Sequence, residues 1–324
     1  MRFVDAATTA HHLAFDALIA ALRSAFVTGC EVPLRHTHLI ADATGAGPPA
    51  GTVLLMPAWR PGGRLGLKTV SIFPANRARG QAALHSVYTL FDASTGLPLA
   101  QLDGDQITSR RTAAASALAA SFLAREDASR LLVVGTGRVA RLMAQAMRAV
   151  RPIVQVEVWG RNAASAHALA EELAEQGFDA CAAPDLPAAV ARAHIVSCAT
   201  LANEPLVRGA WLAAGTHLDL VGSFKPDMRE TDAECFARCH VFCDTEEALA
   251  KSGDVLHAIG EGAFSADAQQ GTLAQLCRGE RNGRRSAHER TLFKSVGTAL
   301  EDLAAAELVF DALPLVGDAN RSVC

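Results

Sequence analysis

The chain has 324 residues, half of them hydrophobic and a fifth charged, with a formal net charge of −4. That length suits two domains with a core each, and the negative balance excludes a general nucleic-acid binder, which needs concentrated positive charge. Eight cysteines over such a length read as reduced thiols rather than a disulfide scaffold, and the absence of signal-peptide order or of an uncharged apolar run of about 18 residues excludes a membrane partner and points to a soluble cytoplasmic protein.

Residues 6–25 carry apolar positions at helical spacing, with His11 and His12 at a solvated helix start. From Val32 to Pro74 the pattern changes to short apolar runs punctuated by Pro and Gly, VPLRHTHLI, GTVLLMPAW and RLGLKTVSIF. These predict antiparallel strands with turns at 45–49 and 61–63. SVYTLFDASTGLPLAQL continues the series through a hairpin turn at Thr95 and Gly96. An alanine-rich helix, SRRTAAASALAASFLA, then leads into the strand at Leu131, so residues 1–120 and 121–290 are expected to form separate domains. Arg35, Lys68 and Arg111 are embedded in strand-like or alanine-rich surroundings, where a charge is costly without a partner. Three such cations suit an anionic substrate such as an amino or imino acid.

Leu131–Val134 reads as a buried strand, and Gly135, Gly137 and Ala140 fill the three small positions of a dinucleotide fingerprint. Thr136, Arg138 and Val139 complete the turn, a helix follows over 139–150, and Val154–Trp159 supplies a second strand. That context turns a weak motif into a usable one. The second strand ends in Val158, Trp159, Gly160, Arg161 and Asn162, with no carboxylate for a ribose 2′-OH. Arg161, with Arg138, could instead pair with a 2′-phosphate, which favours NADPH and leaves NADH possible. Helices at 163–176 and 186–193 alternate with strands near Ala180, at 194–200, at 217–221 and at HVFCD. The expected class is α/β, with a Rossmann-type doubly wound parallel sheet. In CFARCHVFC the pattern passes from helix to strand and scatters Cys235, Cys239 and Cys243, so buried thiols are expected and no metal site. GERNGRRSAHER reads as a solvated loop, and TLFKSVGTALEDLAAAELVF as a long amphipathic helix returning to the first domain.

GLKTVSIFPAN, LDGDQITSRRTAAASALAA leading into LLVVGTGRVA, VGSFKPDMRETD and TLFKSVGTALEDLAAA occur in that order over nearly the whole chain. Together they resemble the ornithine cyclodeaminase and mu-crystallin family. The resemblance implies a homodimer in which the N-terminal strands, completed by the segment 291–324, build an α+β substrate and dimerisation domain. A Rossmann domain carries the cofactor and the active site lies between the two. It also implies that Lys68 is the active-site lysine beside the imine or carbonyl centre, that Arg111 binds the substrate carboxylate, and that Arg35 is a second carboxylate-binding arginine. The family's cyclodeaminases have a GGDCPGK-like run whose aspartate handles the substrate amine. Here Phe224 stands in that place within Gly222–Asp227.

That departure leans toward the family's reductases of cyclic imino acids, which form L-proline from Δ1-pyrroline-2-carboxylate and L-pipecolate from Δ1-piperideine-2-carboxylate. Asp227 and Glu230 are the remaining acids of the run, suited equally to chemistry or to capping the next turn. A protonated imine is the better hydride acceptor, so Lys68 is assigned to polarising or protonating it. An ornithine cyclodeaminase, an alanine dehydrogenase-like enzyme and a non-catalytic NADPH or small-ligand binder are the competing readings. Retention of Lys68 and Arg111 favours an enzyme.

Overall fold

A computed structural model describes residues 1–42, 45 and 47–314. The turn expected at 45–49 therefore lies partly outside the described residues, as do Cys324 and the rest of 315–324. The chain forms two compact units, one of Met1–Ala21, Gly29–Thr108 and the stretch from Ala299 on, the other of Leu22–Thr28 and Ser109–Thr298.

The first unit is built on a six-stranded sheet of order β1-β6-β5-β4-β3-β2, made from β1 (Arg2–Val4), β2 (His36–Ile40), β3 (Gly51–Trp59), β4 (Arg64–Ile72), β5 (Leu84–Asp92) and β6 (Pro98–Asp103). All neighbours are antiparallel except β1 and β6. The turns at 61–63 and at Thr95–Gly96 join the strands they were expected to join, and Gly96 takes the left-handed φ of 73° that its turn needs. The helix expected over 6–25 is two helices, α1 (Ala6–His11), capped by the Asp5 carboxylate on the Thr8 amide at 2.8 Å, and α2 (Phe15–Thr28). The break lets Leu13 turn fully inward.

A single helix, α3 (Gly104–Leu123), carries the division between Thr108 and Ser109; the composition change near residue 120 marks the end of the same helix. TLFK is not helical. Thr291–Lys294 forms a fully buried strand in the second unit, and only Ala299–Ala312 is the helix that returns to the first, after Gly297 breaks the chain at φ 78°. Four residues are too few to show a period, so burial on both faces of a parallel sheet decides the matter. The returning helix lies on β3 and β4. Its Glu307 pairs with Arg60, its Asp311 with Arg64 at 2.9 Å, and the Arg64 guanidinium stacks 4.9 Å from the Phe310 ring.

The second unit alternates strand and helix as β7 (Arg130–Val134), α4 (Ala140–Arg148), β8 (Gln155–Trp159), α5 (Ala163–Glu175), β9 (Asp179–Ala182), α6 (Leu186–Arg192), β10 (Ile195–Cys198) and β11 (His217–Leu220). It continues with α7 (Ala233–Arg238), β12 (His240–Cys243), α8 (Glu247–Lys251), α9 (Gly253–Gly260), β13 (Gly271–Thr272), α10 (Leu273–Cys277) and β14, the Thr291–Lys294 strand; the returning helix is α11. Eight parallel strands run in the order β13-β12-β14-β11-β10-β7-β8-β9. The order reverses between β7 and β10, and at the carboxyl ends of strands beside such a reversal a doubly wound sheet opens a ligand crevice. Leu132, Val134, Val196, Leu218 and Leu292 alternate through its core with no exposed surface. Cys235 and Cys243 are buried there too, and burial pushes the thiol of Cys239 up to about 12. Among the described residues no helix is long and apolar enough to cross a membrane, and no group of three or more His, Cys, Asp or Glu is placed to hold a metal.

Most of the run GERNGRRSAHER is exposed and irregular, as expected of a solvated loop, but its Arg284 is a staple. Arg284 donates to the Leu123 carbonyl at 2.7 Å, the Ser286 carbonyl at 3.2 Å, the Thr291 hydroxyl at 3.2 Å and the Glu289 carbonyl. Its backbone amide takes the Phe122 carbonyl at 2.9 Å. The Leu123 carbonyl at the end of α3 also accepts from the Thr291 hydroxyl at 2.8 Å, so the guanidinium shares the C-capping of this helix. Arg284→Ala is expected to lower the free energy of unfolding in urea by about 3 kcal/mol, since several charge-assisted bonds to half-buried carbonyls are lost together. Lysine, lacking the planar fork, should restore little of it.

Candidate active site

In the second unit, β7 ends in Gly135, whose amide bonds to the Trp159 carbonyl at 2.8 Å and whose φ is 123°. A Cβ at this position would stand 2.6 Å from the Ala199 carbonyl oxygen, so only glycine fits. Gly137 is exposed, with no atom within 4 Å of where its Cβ would be. Thr136 and Val139 are half-buried, Arg138 is exposed, and Ala140 packs fully buried at the start of α4. No side chain caps the amides of α4. A backbone that can be approached closely, ending in free N–H groups at a helix start, fits the pyrophosphate of a dinucleotide. Arg161 and Asn162 are both exposed just past β8, but the Asn162 side chain is used as the cap of α5, accepting from the Ser165 amide at 3.1 Å.

In the first unit, Lys68 lies in β4 with 2% of its surface exposed. Its Nζ is 2.6 Å from Oδ2 of Asp302, a fully buried residue of α11, and 3.4 Å from the Thr108 hydroxyl. The carboxylate compensates an ammonium that burial would otherwise disfavour. The cross-strand partners of Lys68 are Met56 on β3 and Tyr88 on β5, both buried. Tyr88 has its hydroxyl pushed well up by burial and by the nearby Asp302 and Glu307. Arg35 immediately precedes β2. Arg35 is half-buried there, outside the strand pairing of β2 with β3.

Arg111, on α3, is 6% exposed and belongs with the second unit. Its guanidinium lies over Gly297, where a Cβ would meet Nη1 at 2.6 Å. Among the acids of the GSFKPDMRE run, Asp227 is exposed, whereas Glu230 is fully buried and accepts from the Thr200 amide and hydroxyl, both at 2.7 Å. Neither caps the next helix; Asp232 caps α7. Phe224 is 39% exposed just past β11.

Sequence reasoning missed Asp302, Thr108, Asp254 and Lys294. Lys294 meets the criterion that picks out Lys68, a cation in an apolar run, and is fully buried in β14. Asp302 sat in an alanine-rich stretch where the same cost argument applies to a carboxylate.

Fold and residues together define an α/β protein of the dinucleotide-binding class, with the glycine turn in its second unit and a buried lysine–aspartate pair in its first. The chain belongs to the ornithine cyclodeaminase/mu-crystallin family, whose profile matches residues 5–314. It is 42% identical to the Δ1-pyrroline-2-carboxylate reductase of Paracoccus denitrificans over 85% of this chain and 89% of that one. The structure of Thermococcus litoralis Δ1-pyrroline-2-carboxylate reductase in complex with NADH and L-proline superposes with a TM-score of 0.88 at 32% identity, covering 96% of this chain and 97% of that one. An archaeal alanine dehydrogenase dimer with bound NAD matches at a TM-score of 0.86 and 25% identity, covering 96% and 95%.

Proposed function

We propose that the protein reduces cyclic imino acids with a nicotinamide cofactor, converting Δ1-pyrroline-2-carboxylate to L-proline and Δ1-piperideine-2-carboxylate to L-pipecolate. The observation that carries this reading is the buried Lys68 ammonium held at 2.6 Å by Asp302. The bound cofactor supplies a hydride to the imine carbon. As that carbon is attacked the C=N electron pair moves onto nitrogen, and Lys68 donates a hydrogen bond or its proton there. An ammonium kept dry exerts a stronger field than one in water, which is electrostatic preorganisation. Asp302 orients Lys68 and balances its charge, and Arg111 and Arg35 hold the substrate carboxylate. Phe224, where a cyclodeaminase has its aspartate, offers an apolar surface that suits a plain ring and has no group for a free amine. Five- and six-membered rings differ by one methylene, about 1 to 3 kcal/mol, so both are substrates.

Gly135, Thr136, Gly137, Val139 and Ala140 hold the dinucleotide. Arg161 and Arg138 favour NADPH, and the family resemblance with the dimeric alanine dehydrogenase supports a homodimer through the first unit. Following NADPH and NADH oxidation with each cyclic imine and with pyruvate plus ammonia, alongside ammonia release from ornithine, tests the assignment. Ammonia from ornithine without added cofactor would overturn it. For the cofactor, Arg161→Asp should turn the preference from NADPH toward NADH by about 100-fold, because a pairing cation becomes a repelling anion at a 2′-phosphate. An unchanged NADPH to NADH ratio of kcat/KM would remove Arg161 from the site.

A further inference from the structure

Glu230, Asp254 and Lys294 are fully or almost fully buried in the second unit, next to the carboxyl ends of β10, β11 and β14. Glu230 fixes Thr200 just past β10, and Thr200 in turn lies against Gly135 of the fingerprint turn. Asp254 accepts from the amides of Glu230 and Thr231 at 2.8 and 2.9 Å. Lys294 donates to the Leu220 carbonyl at 3.2 Å and to the Gly222 carbonyl, and stands 3.8 Å from Asp254. Between them the three residues pin the segment 222–230, in which Ser223 is held at φ 56°, the single positive value outside glycine among the described residues. Backbone held in that region gathers at functional sites.

The charges do not balance. Two carboxylates face one ammonium, and Oε2 of Glu230 has no hydrogen-bond partner among the described residues. The other charged groups nearby do not correct the excess. Asp244 accepts from the Val296 and Gly297 amides and Asp219 from the Ser197 hydroxyl, while Arg111 beside Gly297 adds one cation. Cys198, also near Glu230, has its thiol pushed well up by burial and stays neutral.

We propose that Glu230 is a positioning residue that biases the site toward the oxidised dinucleotide: when ionised it adds a buried negative charge at the sheet edge where the cofactor binds. An oxidised nicotinamide ring is cationic and a reduced one is neutral, so that charge favours NAD⁺ over NADH and favours the cation that develops as hydride departs. This deepens the reading above and rests on dinucleotide binding. Burial, opposed by Lys294 and Thr200 and reinforced by Asp254, raises the Glu230 carboxyl to about 7.

The test measures dissociation constants of NADH and NAD⁺ with the full chain by calorimetric titration, for wild type and Glu230→Gln, one unit below and one above about pH 7. In wild type the ratio of the NAD⁺ constant to the NADH constant should fall about tenfold with rising pH. In Glu230→Gln it should stay at the low-pH value. Melting provides the second readout. A carboxyl whose folded-state pKa is raised loses stability as pH climbs from its unfolded-state value to the raised one and carries the whole cost above it, so the glutamine variant should melt no lower than wild type at the upper pH. A wild-type ratio that does not move with pH overturns the proposal whether or not the variant folds. So does a variant that keeps the wild-type shift, or one that loses both affinities and melting temperature together. Wild type that binds neither this pair nor NADPH and NADP⁺ overturns the functional reading itself.

Discussion

Lys68→Met is expected to lower kcat/KM for the preferred cyclic imine by about 10²- to 10⁴-fold, the usual consequence of losing a positioned acid, while the dissociation constant for NADH stays at its wild-type value. The two effects separate because Lys68 belongs to the first unit and the glycine turn to the second. A structural complication has to be removed from the measurement. Lys68 and Asp302 compensate one another at 2.6 Å with 3% and 0% of their side chains exposed, so the single replacement leaves a buried carboxylate uncompensated. Breaking such a pair from one side costs about 3 to 5 kcal/mol. Replacing both, as Lys68→Met with Asp302→Leu, should recover most of the stability in urea and none of the turnover. A folded Lys68→Met variant with wild-type turnover would remove the lysine from the chemistry. If the double variant regained activity as well as stability, the pair would be structural only.

Features legible in the sequence were those encoded locally. The glycine turn announces itself because the strand before it is an unbroken apolar run and the helix after it has no proline, and β7 and α4 form where that pattern put them. Lys68 was legible on energetic grounds, as a charge in a strand that must find a partner. The partner was not, because Asp302 is brought to it by the return of α11 across β3 and β4, a tertiary event without a local signature. β14 failed for the opposite reason. TLFK is local, but four apolar-flanked residues read equally well as strand or helix, and only the sheet around them decides. Arg284 shows a third limit: nothing within a mostly solvated run marks the arginine that turns back to the Leu123 carbonyl at the end of α3.

Dinucleotide binding should be the property lost first when the turn after β7 is altered, and two glycines two residues apart should fail in different ways. At Gly135 the φ of 123° is open to glycine almost alone, and an added Cβ would stand 2.6 Å from the Ala199 carbonyl oxygen. That oxygen cannot retreat easily, because the Ala199 amide is bonded to the Val134 carbonyl at 2.9 Å beside the β7–β10 ladder. Gly135→Ala therefore combines backbone strain of about 1 to 3 kcal/mol with displacement of packed backbone. The expected result is lowered stability in urea together with a dissociation constant for NADH weakened by about 100-fold or more, equivalent to roughly 2.7 kcal/mol. Gly137 has open space where a Cβ would be and no positive φ. Gly137→Ala should fold with wild-type stability and still weaken NADH by about tenfold, since its methyl would occupy space that the ligand's phosphates need to approach the backbone. Equal loss of stability in both variants would mean that the turn is shaped by packing alone. Wild-type NADH affinity in Gly137→Ala would mean that the phosphates lie elsewhere, and would withdraw the role given to the fingerprint turn.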